Sequence, residues 1–387
     1  MNILFITEAR QDQIRFYIDM LEGLNNFENV QFDTNQTCFE KYDVILLMYS
    51  DCKKYLEKIR KMAPLCKIGI VDPRVAEGSI LKGDFIVAQG IEEENWFSDY
   101  YFDIFRYDFH PINQCTLKKH CDNNKIILGT HGNKIHLHTM YPYLSRAIEA
   151  LGQDFDVEFR AYYNIKEYGQ VDFDLFPSGN VVFKEIQWSW DIYQNSLPEV
   201  DIGVVPNLIP IKDLNKAKRT IECYPAFFNE HLTDNLVRYK GTSNIGRLYP
   251  FAQLGIPVVA DLYPSSCNAI EPGVTGFFGG STGMWYRALY KLASSAELRQ
   301  SIGWKMQERY LATATPNIFN EKFLEFLLNI CSRSPTPIPC DFIETSERLN
   351  DHTFIKKYSQ ISRKNVISNH LSVIPSAIKK IFFPMKK

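Results

Sequence analysis

Over the first 122 positions, short apolar runs alternate with polar stretches that keep helical spacing. Asn2–Thr7, Val44–Met48, Ile68–Val71 and Phe85–Ala88 are apolar enough to be strands covered on both faces. Between them, "DQIRFYIDMLEGL" and "CKKYLEKIRKMA" place apolar residues three and four apart, as one face of a helix requires. The alternation predicts a parallel sheet with helices on its faces.

A polar, patternless linker, "HPINQCTLKKHCDNNK" (110–125), follows, and the alternation then begins again. Strands are expected at Ile126–Gly129, Val157–Tyr162, Val181–Glu185, Ile202–Val205 and Gly276–Phe278, with a helix over 138–151. The stretch "SNIGRLYPFAQLGIPVVADLYPSS" (243–266) reads as a helix capped by Ser243 or Asn244, with an irregular first turn at Pro250. Leu248, Phe251, Ala252 and Leu254 form its apolar stripe, Gly255 ends it, and Ile256–Ala260 forms a buried strand. "MWYRALYKLASSAELRQSIGWKMQERYL" reads as a long closing helical region.

The expected fold is α/β, two Rossmann-like domains facing a cleft. Residues 1–122 form the first and 123–330 the second, with 331–387 a linker and basic C-terminal extension. The mixed-charge stretch 207–242 has no pattern to place it. Ligands in such sheets bind beyond the carboxyl ends of the strands, so the loops just after strands are the places to look.

Composition narrows the partners. The chain has 387 residues, 45% hydrophobic and 14% aromatic, enough for two cores. A net charge of −2 and a pI near 6.5 argue against a nucleic-acid substrate. Nine scattered cysteines with no CxxC pair suit a reducing compartment and no metal centre. "MNILFITEARQ" lacks the form of a signal peptide, and no apolar stretch reaches membrane-spanning length, so a cytoplasmic location is expected. After Asp351 the chain carries eight lysines or arginines and no acidic residue. Ile374, Ile378, Ile381 and Phe382 would share one helical face beside Lys379 and Lys380, which suits an anionic membrane surface; packing back onto the first domain is the plainer alternative.

Three loops offer chemistry. In "ILGTHGNKIHLHTM", Thr130, His131, Gly132, Asn133 and Lys134 follow a strand and precede a helix, the arrangement of a phosphate site; an ordinary capped turn is the alternative. His131, His136 and His138 do not share a face that would bind metal. "YKGTSNIGR" gathers Lys240, Thr242, Ser243, Asn244 and Arg247, again suited to an anion. Glu271 in "CNAIEPGVTGFFGG" is placed to accept sugar hydroxyls or is a solvated turn glutamate.

In order, "GTHGNKIHL", "VDIGVVP", "KGTSNIGRLYPFAQLGIPVVAD", "IEPGVTGFF" and "WYRALYKLASSAELRQSIG" resemble the C-terminal half of GT-B glycosyltransferases. The resemblance is to the bacterial group allied to glycogen synthase that builds surface polysaccharides. It implies a nucleotide-sugar donor in the second domain, a glycan or lipid-linked acceptor in the first, and no metal or other cofactor. Donor-binding residues would be Gly132, Asn133, Lys134, Lys240, Thr242, Ser243, Asn244, Arg247 and Glu271. Two glutamates usual in that group, eight positions apart, are replaced by Thr242 and Pro250. The candidate catalytic groups are Glu8, Asp72 and His131. An inverting enzyme would need a base such as Glu8, Asp51 or Asp72; a retaining one would let the leaving diphosphate take the proton. A nucleotide-sugar epimerase and an inactive nucleotide-binding scaffold are the alternative functions.

Overall fold

A computed structural model of the chain describes residues 1–9, 11–73, 82–98, 100–101, 103–113, 116–138, 140–171, 177, 179–207 and 243–333. The stretch holding Lys240 and Thr242, the linker after Arg333 and the basic tail lie outside the described residues.

Two six-stranded parallel sheets carry the fold. The first comprises β1 (Asn2–Ile6), β2 (Gln31–Thr34), β3 (Val44–Met48), β4 (Lys67–Val71), β5 (Phe85–Ala88) and β6 (Ile104–Arg106), in the order β2-β1-β3-β4-β5-β6. The second comprises β7 (Lys125–His131), β8 (Asp156–Tyr163), β9 (Val181–Gln187), β10 (Ile202–Val205), β11 (Val258–Asp261) and β12 (Phe277–Gly279). Its order, β12-β11-β10-β7-β8-β9, is the doubly wound one, with the chain reversing direction across the sheet at β7 and β10. The first sheet reverses between β1 and β3. β1, β3, β4 and β5 are buried almost throughout, which is why they were legible as apolar runs.

Helices α1 (Gln11–Leu21), α2 (Cys52–Met62) and α3 (Ile91–Phe97) accompany the first sheet. The expected helix over 138–151 is two pieces, α4 (Ile135–His138) and α5 (Tyr143–Leu151), separated around Pro142. Two short helices follow, α6 (Ile165–Tyr168) and α7 (Trp190–Ser196). The helix expected from residue 243 is only α8 (Tyr249–Gln253), after which come α9 (Pro264–Ala269), α10 (Thr282–Ala293), α11 (Ala296–Thr313) and α12 (Pro316–Ser332). The expected closing helix breaks at Ser295, whose side chain accepts from Leu298 N and starts α11 afresh.

α12 follows the second sheet in sequence but packs on the first. Phe319 stacks on Tyr107 (5.0 Å between ring centroids), Phe323 on Phe105 (4.9 Å), and Phe326 meets Phe85 (5.5 Å). Phe105 and Tyr107 of the aromatic stretch before the linker thus pack against α12. The chain thus crosses between the sheets twice, once through residues 107–124 and once between α11 and α12. The crossings touch: Tyr310 Oη donates to His110 Nε2 (3.0 Å) and Tyr107 Oη to Asn320 Oδ1 (2.8 Å). His110 Nδ1 donates to the Asp108 carbonyl (2.7 Å).

The linker is anchored. Lys118 Nζ donates to the Glu199 carbonyl (2.7 Å) and pairs with Asp201 (3.2 Å), and Arg299 Nη2 donates to the Cys121 carbonyl (2.7 Å). Arg299 Nη1 also binds the carbonyls of Leu292 and Ala293 at the end of α10. That explains the arginine in "LRQSIG", while Gly303 there lets α11 lie against the Gly255 carbonyl. Trp285 is core, lying on Gly279. No helix of the described residues is long and apolar enough to cross a membrane.

Candidate active site at the carboxyl edges of the two sheets

At the reversal point of the second sheet, β7 delivers His131 and Gly132, and β10 delivers Pro206 and Asn207. Arg247 bridges the two. Its Nη1 donates to the Pro206 carbonyl and its Nη2 to Asn207 Oδ1, both at 2.6 Å. His131 Nε2 donates to the Arg247 carbonyl (2.8 Å). Gly132 has φ +123°, and a Cβ there would lie 2.7 Å from Arg247 Cδ, so both conformation and space require glycine.

Two residues passed over in the sequence complete this floor. Asn207 N donates to Asp261 Oδ2 at the end of β11 (2.6 Å), and Asn207 Nδ2 to Ser243 Oγ (2.9 Å). Each is a polar residue immediately after a buried apolar run, the signal by which they were legible. Ser243 therefore holds Asn207 rather than capping a helix, and Asn244 Oδ1 accepts from Gly246 N (3.1 Å) in a turn. The helix N-terminus expected at 243–247 is thus replaced by a loop, because tertiary partners take the capping groups.

Electrostatically the floor holds one buried cation, Arg247, and one buried carboxylate, Asp261, whose charge acts on it. Arg247 is buried, its terminal nitrogens meet neutral acceptors, and no described carboxylate lies within ion-pair distance of it. Burial lowers the pKa of its guanidinium. Burial, with Arg247 beside it, holds His131 down to about 3, so the ring is neutral. A group with that pKa is poorly matched to proton transfer near neutrality. Lys134 lies on the same edge, but its Nζ donates to the carbonyls of Tyr168 (2.8 Å) and Gln170 (2.6 Å). Gly132 and Asn133 are exposed there, and a small cavity opens among Thr130, His131, Asn133, His136 and Tyr163. Glu271 is not brought to this edge. It sits in the turn before β12, its N–H on Thr275 Oγ1 (2.8 Å), at the amino ends of β11 and β12.

On the first sheet, Glu8 and Asp51 meet at the reversal between β1 and β3, where Glu8 N donates to Asp51 Oδ2 (3.1 Å). The Glu8 carboxylate accepts from Lys54 and Tyr55, contacts that lower its pKa. Asp72 directly follows β4 with φ +52°, buried, its Oδ2 accepting from Tyr17 Oη (3.0 Å). Tyr17 in turn accepts from Gln89, and Gln89 Oε1 accepts from Asn244 Nδ2 across the cleft (3.3 Å).

No protein-family model and no curated protein sequence matches the chain. Solved structures do. Sucrose-phosphate synthase of Thermosynechococcus elongatus superposes with a TM-score of 0.55 at 12% identity, over 86% of this chain and all of that one. The lipopolysaccharide outer core galactosyltransferase WaaB gives 0.53 at 13% identity, over 85% of this chain and 99% of that one. HepE of Anabaena, solved with UDP and glucose, gives 0.50 at 13% identity, over 85% of this chain and 100% of that one. The fold is GT-B. The Arg247 floor and the Glu8–Asp72 edge lie at the carboxyl ends of its two parallel sheets.

Proposed function

We propose that the chain is a glycosyltransferase that moves a sugar from a nucleotide-sugar donor to a surface glycan or lipid-linked acceptor, without a metal. The observation that carries the reading is the Arg247 floor: a buried cation, not ion-paired among the described residues, beneath a glycine-permitted opening at the sheet's reversal point. There its field favours a diphosphate and stabilises the charge that develops as the diphosphate departs. HepE, of the same fold, holds UDP and glucose, which supports that ligand class.

In this reading Gly132 and Asn133 approach the phosphates, and Ser243 and Asn244 set the loop beneath the donor. Lys134 adds positive charge at the rim. Glu8 and Asp72 face the acceptor, where either carboxylate could take the hydroxyl proton if configuration inverts. The basic stretch after Asp351 supports an acceptor held at an anionic surface. A second reading, a nucleotide-binding scaffold without turnover, is favoured by one observation: Pro250, at one of the two glutamate positions, is buried in α8.

Incubation with UDP-, GDP-, CMP- and dTDP-sugars tests both. Donor hydrolysis or transfer is expected. Epimer formation would make the protein an epimerase, binding without turnover a scaffold, and no binding of any nucleotide would overturn both readings.

A further inference from the structure

Residues 89–92, at the end of β5 and the start of α3, are seated on the second half of the molecule. Ser265 donates to the Glu92 carboxylate from both its N–H (2.9 Å to Oε1) and its hydroxyl, and the same hydroxyl accepts from Ile91 N (3.2 Å). A Cβ on Gly90 would lie 2.5 Å from the Ser243 carbonyl, so glycine alone permits this approach. Gln89 takes the Asn244 amide with its oxygen and gives its own amide to Tyr17, which holds Asp72.

The chemistry suits a contact that opens. Glu92 is buried without a cation paired to it among the described residues, so its desolvation is offset only by neutral donors. Such a contact is lost at little cost once water returns. Gln89 has a different part. The amide has one acceptor and one donor end in use, each on a different half, so the position of loop 243–247 is passed to Tyr17 and from there to Asp72. Asp72 is held in the left-handed region, where a non-glycine residue needs such support.

We propose that residues 89–92 latch the cleft, with Glu92 holding it shut and Gln89 acting as a positioning residue that ties the orientation of Asp72 to closure. Any use of Asp72 in transfer rests on the glycosyl-transfer reading; the latch and its coupling do not.

Hydrogen exchange on the full, ligand-free chain tests this without donor or turnover. Glu92→Ala should speed exchange of the Ile91 and Gly246 amides about five- to tenfold, the equivalent of a lost hydrogen bond, and leave β3 unchanged. Glu94→Gln, on the same helix as Glu92 but with its carboxylate paired with Arg106 of β6, should change none of these. Asn244→Leu and Gln89→Leu should each speed exchange at the Asp72 amide, and the double variant no further than either alone. If Glu92→Ala does not fold, Glu92→Gln is read at the same amides, with a smaller rise expected. Unchanged exchange at Ile91 and Gly246 in the folded variant would overturn the latch. An Asn244→Leu effect confined to residues 243–247 would overturn the coupling to Asp72. Neither result would bear on whether sugar is transferred.

Discussion

At the scale of single residues, His131 and Arg247 show how a local bond fixes chemistry. A backbone carbonyl only accepts, so the bond from His131 Nε2 to the Arg247 carbonyl places the proton on Nε2 and leaves Nδ1 as the acceptor of the neutral ring. Arg247 differs from Lys134 in what its loss would do. Replacing Arg247 with methionine strips donors from two acceptors in a buried floor, and about 2–4 kcal/mol of stability should be lost in urea unfolding. Lys134→Ala is a change at a half-exposed side chain bound to two backbone carbonyls, and should stay within about 0.5 kcal/mol. Equal losses for the two would mean that Arg247 does not brace the floor.

At the scale of elements, loop 243–248 depends on Gly246. A Cβ there would meet the Phe109 carbonyl at 2.5 Å, and that carbonyl is in the crossing strand, flanked by bonds of Asp108 and His110. Gly246→Ala should therefore cost about 1–3 kcal/mol and shift the loop from the crossing, measurable as a lowered melting temperature with altered chemical shifts at Phe109 and His110. A wild-type melting temperature would show that the crossing gives way freely.

This loop also marks where the sequence stops being readable. The inner strands announced themselves because both faces are buried, so nearly every position is apolar. β2 (QFDT) and β6 (IFR) were missed because they are short edge strands whose residues are half polar or half exposed. The stripe Leu248, Phe251, Ala252 and Leu254 is buried as expected, yet only five residues are helical. Asn207, Gln89 and Phe109 hold the residues before them, and nothing at 243–248 encodes partners up to 155 positions away. Residues at the carboxyl edges were legible by place, as with His131 at the end of β7 and Asp72 just after β4. The contacts of Gln89, Tyr17 and Glu92 were not, because their partners lie far away along the chain.

At the scale of the whole molecule, buried histidines set the response to acid. Burial lowers His110 and His120 to about 4 and His131 to about 3, all below the 6.5 of an exposed imidazole. The unfolded chain therefore binds protons that the folded chain refuses. Stability is fully present above about pH 6.5 and falls as pH drops toward 4, by up to about 1.4 kcal/mol per pH unit for each histidine. Asp108 works the other way: burial raises it to about 6, so the folded state binds its proton more readily and part of the loss between pH 6 and 4 is offset. Urea midpoints measured from pH 7.5 to 4.5 should decline, and an Asp108→Asn variant should decline more steeply. A flat profile would mean the histidines are not sealed from water.

The paired crossings have a mechanical consequence. Two strands of chain lying side by side, pinned by Tyr310 on His110 and Asn320 on Tyr107, act as two pins on one door. They permit turning about the line they define and resist sliding and twisting. Were the Glu92 contact to open, these two hydrogen-bonded pairs are where the two halves would stay joined.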